Sequence, residues 1–407
     1  MILKSCRSYF CQYLNIKLFP VRHLCVLVLI IILCNSCNHS EKKANPVHTT
    51  DSVNYARNTS LQLDPKEFLH YHNSCQQFFA GLLPGSVFNG SILVAKKGVI
   101  VFEEYVGYTD PQLRKDSLTP KTAFHLASVS KTFTAMATLK LWEQGKLSLE
   151  DELSKYFTDF PYPGITIKML LSHRSGLPNY LHYLEHYKWD KSKMVTNADV
   201  LQSLYNFHPP LDFPSGKHFA YCNTNYVLLS LIIERVSGQS FKSYLENTFF
   251  RPLQMNDTYV FSPDDMSRAL PSFQWNNRKY PYEFLDVVYG DKNIYSTVRD
   301  MYKWDQALYA GRLFTKNTLD SAFSGYSFEK EGKRNYGLGW RMTMLDNGKK
   351  MLYHNGWWHG NNTVFIRLLD EEAVIIVLSN KFNRNIYSAK NLCNLFGDYM
   401  QSTAFEE

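Results

Sequence analysis

The chain is poor in several features that would commit a protein to a large class. Of its eight cysteines, five (Cys6, Cys11, Cys25, Cys34, Cys37) lie in the first 37 residues. Only Cys75, Cys222 and Cys393 remain in the body, too few and too widely spaced for a disulfide framework or a zinc ribbon. There are no low-complexity tracts and no repeats of 20–50 residues, which argues against solenoids and propellers. No Gly-x-Ser-x-Gly elbow occurs, which disfavours an α/β-hydrolase. No Asp or Glu precedes Glu41, whereas Lys4, Arg7, Lys17 and Arg22 all fall before it. Removing those four basic residues lowers the formal net charge from +7 to +3, which leaves no electrostatic argument for nucleic acid. What is present is 407 residues, 45% hydrophobic, enough for one large domain or two modest ones and too apolar for a disordered chain.

The N-terminus reads as a targeting segment. A basic stretch precedes the apolar run Leu24 to Leu33, LCVLVLIIIL. Ten residues are too few to span a bilayer comfortably and fit the apolar core of a signal peptide; a signal anchor is the alternative. Cys37 follows a small residue, Ser36, just past that run, which resembles a bacterial lipoprotein cleavage site. Cys34, three positions earlier, departs from the small or aliphatic residue usual there. The expected organisation is a signal over 1–37 with Cys37 lipidated, a polar linker over 38–62, and a single domain over 63–407. The expected location is outside the cytoplasm, periplasmic or at the cell surface, anchored to a bacterial membrane by lipid.

Within the domain, Phe68, Leu69, Phe78, Phe79 and Leu82 predict an amphipathic helix. Ser91–Ala95 and Val99–Val106, joined by Lys96-Lys97-Gly98, predict a hairpin. A second hairpin joins Thr363–Leu369 to Ala373–Leu378 through Asp370-Glu371-Glu372, and Leu392, Leu395, Phe396 and Tyr399 predict a closing helix. Between the hairpins the pattern is mainly helical. Val129, Phe133, Met136, Ala137 and Leu141 share one face up to Gly145, and Tyr226–Val236 reads as a buried helix ending at Gly238. The aromatic-rich Tyr180–Trp189 reads as a segment laid over something. The fold class is α+β: an antiparallel sheet from both chain ends, with a helical region inserted.

Three short motifs carry possible chemistry. Ser128-Val129-Ser130-Lys131 opens a helix, so Ser128 and Lys131 are neighbours on one face. Serine needs a nearby base to act as a nucleophile. A buried lysine, whose charge is disfavoured by desolvation, can be that base. Ser-x-x-Lys also occurs at Ser40/Lys43 and Ser327/Lys330, but the first lies in the linker and the second among charges. Only Ser128 follows an apolar lead-in, Phe124-His125-Leu126-Ala127. Tyr221-Cys222-Asn223 supplies a phenol that can relay a proton near a cation and an amide that can orient an amine. His354-Asn355-Gly356 ends a strand-like run, and its glycine permits close backbone approach.

Taken in order, these motifs resemble the Ser-x-x-Lys, Tyr-x-Asn and Lys-Thr-Gly set of penicillin-recognising serine hydrolases. The His-x-Gly variant is most similar to class C β-lactamases and their relatives, D-alanyl-D-alanine carboxypeptidases, D-aminopeptidases and esterases. Ile165–Leu177, Phe213–Lys217, and Ile294–Thr297 with Asp300 and Trp304 resemble further family segments, so the likeness runs from about Leu63 to about Met400. It implies a β-lactamase/transpeptidase-like fold with the site between sheet and helical region. It implies Ser128 as acyl-forming nucleophile, Lys131 and Tyr221 as its base system, and Asn223 orienting Lys131 and substrate. His354, Asn355 and Gly356 would line the reacting carbonyl, and the backbone N–H groups of Ser128 and Trp357 would form the oxyanion hole. No cofactor is implied, and the partner is a small-molecule or peptide substrate of cell-wall type.

Two departures bear on substrate. His354 replaces the motif lysine, and Trp357-Trp358 follow Gly356 where small or hydroxylated residues are common in members that bind a free carboxylate. Both weaken the case for β-lactams and D-alanine-ending peptides. The tryptophans point instead to an apolar pocket wall, or else to core. Two rival readings are a zinc metalloprotease through His182, Glu185 and His186, and a non-catalytic binding or sensor protein of the same fold.

Overall fold

A computed structural model of the chain describes residues 63–84, 87–309, 311 and 313–399. The expected signal, Cys37 and the linker up to residue 62 lie outside the described residues. Both predicted hairpins form, and they pair with each other. Helix α1 (Pro65–Leu82) leads into strands β1 (Gly90–Lys96) and β2 (Val99–Val106). Strands β3 (Arg334–Tyr336), β4 (Arg341–Met344), β5 (Lys350–Trp358), β6 (Asn361–Leu368) and β7 (Ala373–Ser379) come from the C-terminal part. They make one seven-stranded sheet in the order β2-β1-β7-β6-β5-β4-β3, antiparallel throughout. The two-residue turn at Lys97-Gly98 has positive φ at both positions (47° and 72°), the handedness that matches strand twist in a tight hairpin.

Both faces of the sheet are covered, which explains why β1, β6 and β7 are buried at every residue and carry the unbroken apolar stretches Ile92–Ala95, Val364–Ile366 and Ala373–Leu378. On one face Ile92, Val94, Val364, Ile366, Ile375 and Val377 pack with Phe79 of α1 and with Ile386, Ala389 and Leu392. The other face, with Leu93, Phe365, Ile376 and Leu378, meets the helical region. Central there are α2 (Ser130–Glu143), buried at eleven of its fourteen residues, and α4 (Asn223–Ser237), with α3 (Tyr180–His186) and α5 (Val298–Tyr309) around them. Phe133 of α2 stacks on Trp304 of α5 at 4.5 Å between ring centroids.

Two expectations are corrected. Leu69 lies on the solvent side of α1, 55% exposed, rather than on its apolar face. The closing segment is a 3₁₀ helix over Arg384–Leu395 that stops before Phe396 and Tyr399. Its buried residues Ile386, Ala389 and Leu392 recur every third position, the period at which 3₁₀ side chains align.

The ion pair between Arg367 of β6 and Asp305 of α5 is wholly buried, with Nε 2.6 Å from Oδ1. Asp305→Ala strands the guanidinium and should cost about 3–5 kcal/mol of stability, read as a lowered urea midpoint. Replacing both residues with apolar ones of similar volume should recover most of it. A loss below about 1 kcal/mol in the single variant would mean that the pair does not carry this packing.

Candidate functional site

Ser128 sits on a 3₁₀ turn, Ala127–Val129, that runs directly into α2. The preceding residue, Ala127, has φ 48°, a left-handed conformation that costs an L-residue about 1–2 kcal/mol. The surroundings hold it there. Ala127 N donates to His125 Nδ1 at 3.0 Å, and Leu126 N donates to Ile294 O at 2.8 Å. Thr363 Oγ1 on β6 donates to Leu126 O at 2.8 Å. Because His125 Nδ1 accepts, its Nε2 carries the proton and donates to Asn293 Oδ1 at 2.7 Å. Burial lowers the His125 pKa to about 4, so the ring is neutral and its tautomer is set by these two partners.

Lys131 lies one turn into α2, fully buried, with Nζ 3.2 Å from Ser128 Oγ and 2.7 Å from Asp291 O. It has no carboxylate partner among the described residues. Its Nζ is 4.9 Å from the centroid of the Tyr221 ring and 5.6 Å from that of Tyr226. The Tyr221 hydroxyl is buried and has no hydrogen-bond partner among the described residues, an uncommon state for a phenol. The Tyr221 ring packs 4.4 Å from His173, whose Nδ1 accepts from Cys222 N at 3.2 Å and thereby holds the Tyr221-Cys222 backbone. Burial, with Lys131 and Arg341 nearby, pushes the His173 pKa well below the usual range.

Asn223 begins α4 beside Tyr221, but its side chain does not bond to Lys131. The positioning role expected of it is filled by the Asp291 carbonyl. Residues Gly290–Ile294 run along α2, which takes up their backbone groups in turn. Thr134 Oγ1 donates to Gly290 O (2.6 Å), Lys131 to Asp291 O, and Ile294 N donates to Ser130 Oγ (3.1 Å). Sequence reasoning missed this segment because Asp291-Lys292 looks like a solvated charge pair. Both side chains are in fact buried, 3.6 Å apart, and Tyr180 donates to Asp291 Oδ2 at 2.8 Å and accepts from Lys292. The signal that was available is the aromatic-rich segment at Tyr180, which covers this pair.

His354, Gly356 and Trp358 alternate along β5 on the face toward Ser128, while Asn355 and Trp357 point the other way. Trp357 is 65% exposed, so its side chain is not a pocket wall; what it can offer the site is backbone. Trp358 is the inward tryptophan, its ring 4.6 Å from Lys292 Nζ and its indole N–H bonded to Asp286 Oδ1 at 2.7 Å. The core reading therefore fails for Trp357. Gly356 permits the expected close approach, since a Cβ there would lie 2.4 Å from Leu126 O and 3.0 Å from Ala127 Cβ. His354 is buried and its pKa is pushed well below the ordinary value by burial and by Arg341 and Lys131. Neutral, it donates from Nδ1 to Asn355 O (2.8 Å) and leaves Nε2 as acceptor for Tyr336 Oη (3.3 Å). It does not replace the charge of the motif lysine.

His182, Glu185 and His186 lie on the exposed side of α3 and do not gather their ligand atoms; Glu185 is instead 2.6 Å from Lys191. Among the described residues the cluster able to hold a metal is Glu283, Asp286 and His359, with ligand atoms within 4.8 Å of one another. Asp286 there already accepts from Trp358, His359 and Glu283 N.

Comparison with known proteins agrees with the fold. A family model described as Beta-lactamase matches residues 77–391. Penicillin-binding protein 4* of Bacillus subtilis (strain 168) is 33% identical over 322 residues, 75% of this chain and 71% of that protein. The crystal structure of a penicillin-binding protein from Bacillus halodurans aligns with TM-score 0.69 at 24% identity, covering 78% of this chain and 99% of that one. A D-amino acid amidase from Ochrobactrum anthropi SV3, complexed with L-phenylalanine amide, aligns with TM-score 0.63 at 21% identity over 79% and 99%. With its two-ended antiparallel sheet, its inserted helices and Ser128 placed between them, the chain belongs to the beta-lactamase family of serine hydrolases.

Proposed function

We propose that this protein hydrolyses an ester or amide through an acyl-enzyme on Ser128. The observation that supports the reading best is Lys131, an amine buried without a counter-ion and 3.2 Å from Ser128 Oγ. In the forward step Oγ attacks the substrate carbonyl, and its proton passes to the Lys131–Tyr221 pair. The pair returns that proton to the departing alcohol or amine. Water then repeats the sequence on the acyl-serine, releasing the acid and restoring Ser128. The developing oxyanion would lie against the N–H groups of Ser128 and Trp357, a donor of this kind contributing about 3–4 kcal/mol to the transition state. The relative named for penicillin binding and the neighbour that is a D-amino acid amidase support small acyl compounds and D-amino-acid amides or peptides of cell-wall type as substrates. The N-terminal pattern supports export and lipid anchoring at Cys37.

Intact-protein mass spectrometry tests both parts. Residues 38–407 are incubated separately with a penicillin, a cephalosporin, a p-nitrophenyl ester and a fluorophosphonate, beside Ser128→Ala. An adduct or turnover that requires Ser128 is expected. Its absence with all four would leave the fold without this chemistry and favour the binding-protein reading. On full-length protein from the membrane fraction, the same measurement should find a diacylglycerol mass on an N-terminal Cys37; an unmodified N-terminus overturns the anchor.

A further inference from the structure

The two N–H groups proposed to share the oxyanion come from distant parts of the chain. Each stands next to a residue tied to one loop. Ser128 follows Ala127 on the turn that opens α2, and Trp357 precedes Trp358 at the end of β5. From His354 to Trp358, β5 pairs with β6 on one edge and with no strand on the other among the described residues. The end of β5 is held instead by the Asp286 carboxylate, in the loop before Gly290. Its Oδ1 accepts from Trp358 Nε1 at 2.7 Å and from His359 Nε2 at 3.0 Å, and its Oδ2 accepts from Glu283 N at 2.6 Å. Although burial works to raise the Asp286 pKa, the bonds from His359, Glu283 N and Trp358 hold it below the usual carboxylate range. Bonds to an ionised acceptor are the stronger kind.

The main chain of the same residue reaches the other N–H group. Asp286 O accepts from Asn293 Nδ2 at 2.7 Å, Asn293 Oδ1 accepts from His125 Nε2 at 2.7 Å, and His125 Nδ1 accepts from Ala127 N at 3.0 Å. Asp286, Asn293, His125 and Ala127 are all buried, so the chain of bonds runs through the interior. Asn293 itself has φ 72°, a backbone state that asparagine tolerates better than most residues. A connected buried network of this kind is stiff, since each group it releases is left without a partner.

We propose that Asp286 is a positioning residue for the oxyanion hole, fixing Trp357 through its carboxylate and Ser128 through its carbonyl. The inference rests on the serine-hydrolase reading and deepens it. Near Leu126 the strand and the nucleophile turn are set by Gly356 and by the Thr363 bond. Beyond Trp358 and Ala127 they are set by Asp286, which acts through these neighbours.

The test compares p-nitrophenyl acetate with its thiono analogue, in which sulfur replaces the carbonyl oxygen. Sulfur is a weak acceptor and gains little from N–H groups placed for an oxyanion. The oxygen-to-sulfur ratio of kcat/KM therefore reads the hole and is unmoved by a loss of folded protein. The thiono reaction is followed as the thioacyl adduct by mass spectrometry, so that slow rates register. Wild type, Asp286→Ala, Asp286→Asn, Trp358→Phe, Asp286→Ala/Trp358→Phe and the Ser128→Ala blank are assayed side by side. Asp286→Ala should lower kcat/KM for the oxygen ester by about 10- to 100-fold, and the ratio with it. Asp286→Asn keeps an oxygen for Trp358 and should restore most of the ratio. Trp358→Phe keeps a ring but loses the N–H, and should lower the ratio part of the way. The double variant should fall no lower than Asp286→Ala, because both act on one bond. A ratio in Asp286→Ala within about twofold of wild type overturns the inference and leaves the hydrolase reading intact. Where Asp286→Ala does not fold, Trp358→Phe decides by the same ratio. Oxygen-ester turnover that is absent in wild type, or that persists in Ser128→Ala, removes the hydrolase reading and the inference with it.

Discussion

Lys131→Met should slow acylation of Ser128 by about 10³-fold, within the range lost when a positioned acid–base group is removed. The replacement keeps the unbranched length and loses only the amine. Burying methionine needs no desolvation of a charge, so the helix should still pack. What the fold gives up is the bond to the Asp291 carbonyl, 2.7 Å from Nζ, at about 1–3 kcal/mol for an acceptor left buried. Rate and stability are therefore separable. A stopped-flow reaction with a fluorophosphonate reads the first, and a urea titration reads the second. Tyr221→Phe is the informative companion. Its hydroxyl has no hydrogen-bond partner among the described residues, so removing it takes away no bond to them. Any rate loss in Tyr221→Phe without a stability loss must come from proton movement during reaction. Acylation of Lys131→Met within tenfold of wild type would exclude Lys131 as part of the base.

The parts of this arrangement that were legible in the sequence are those written in local spacing. Ser128 and Lys131 are three residues apart at a helix start, so no tertiary knowledge is needed to bring them together. The hairpins were readable because period and turn chemistry agree, as at Lys97-Gly98. Gly356 was readable as a close-approach position because no other residue type serves there. Long-range substitutions of role were not legible. Asn223 was expected to hold Lys131, yet the backbone oxygen of Asp291 does so, and a carbonyl leaves no mark in a residue pattern. Asp291-Lys292 was hidden because adjacent opposite charges are ordinarily solvated, and the buried hydroxyl of Tyr180, 111 positions from Asp291, is what bonds both of them in the interior. Trp357 and Trp358 looked alike in sequence and diverge only because strand alternation sends one to solvent and the other to Lys292.

Gly356→Ala should cost about 10²-fold in Ser128 acylation although residue 356 has no side chain to lose. The added methyl meets two oxygens. Thr363 Oγ1 is 2.2 Å away and can rotate, at the expense of its 2.8 Å bond to Leu126 O. Leu126 O itself, 2.4 Å away, cannot rotate because it is backbone, and Leu126 N is tied to Ile294 O at 2.8 Å. Either β5 or the turn carrying Ala127 and Ser128 must retreat by about 1 Å to reach ordinary contact. Retreat separates the two backbone segments whose N–H groups would share the oxyanion, and it relaxes the left-handed Ala127 that aims Ser128. Overpacking should also lower stability by about 1–3 kcal/mol. Gly356→Ala/Thr363→Ala separates the two clashes. It removes the movable oxygen and leaves the fixed one, so the double variant should stay slow. Recovery of wild-type acylation in that double variant would assign the defect to Thr363, and undiminished acylation in Gly356→Ala would mean that the strand and the nucleophile turn are not held in the mutual position on which the proposed chemistry depends.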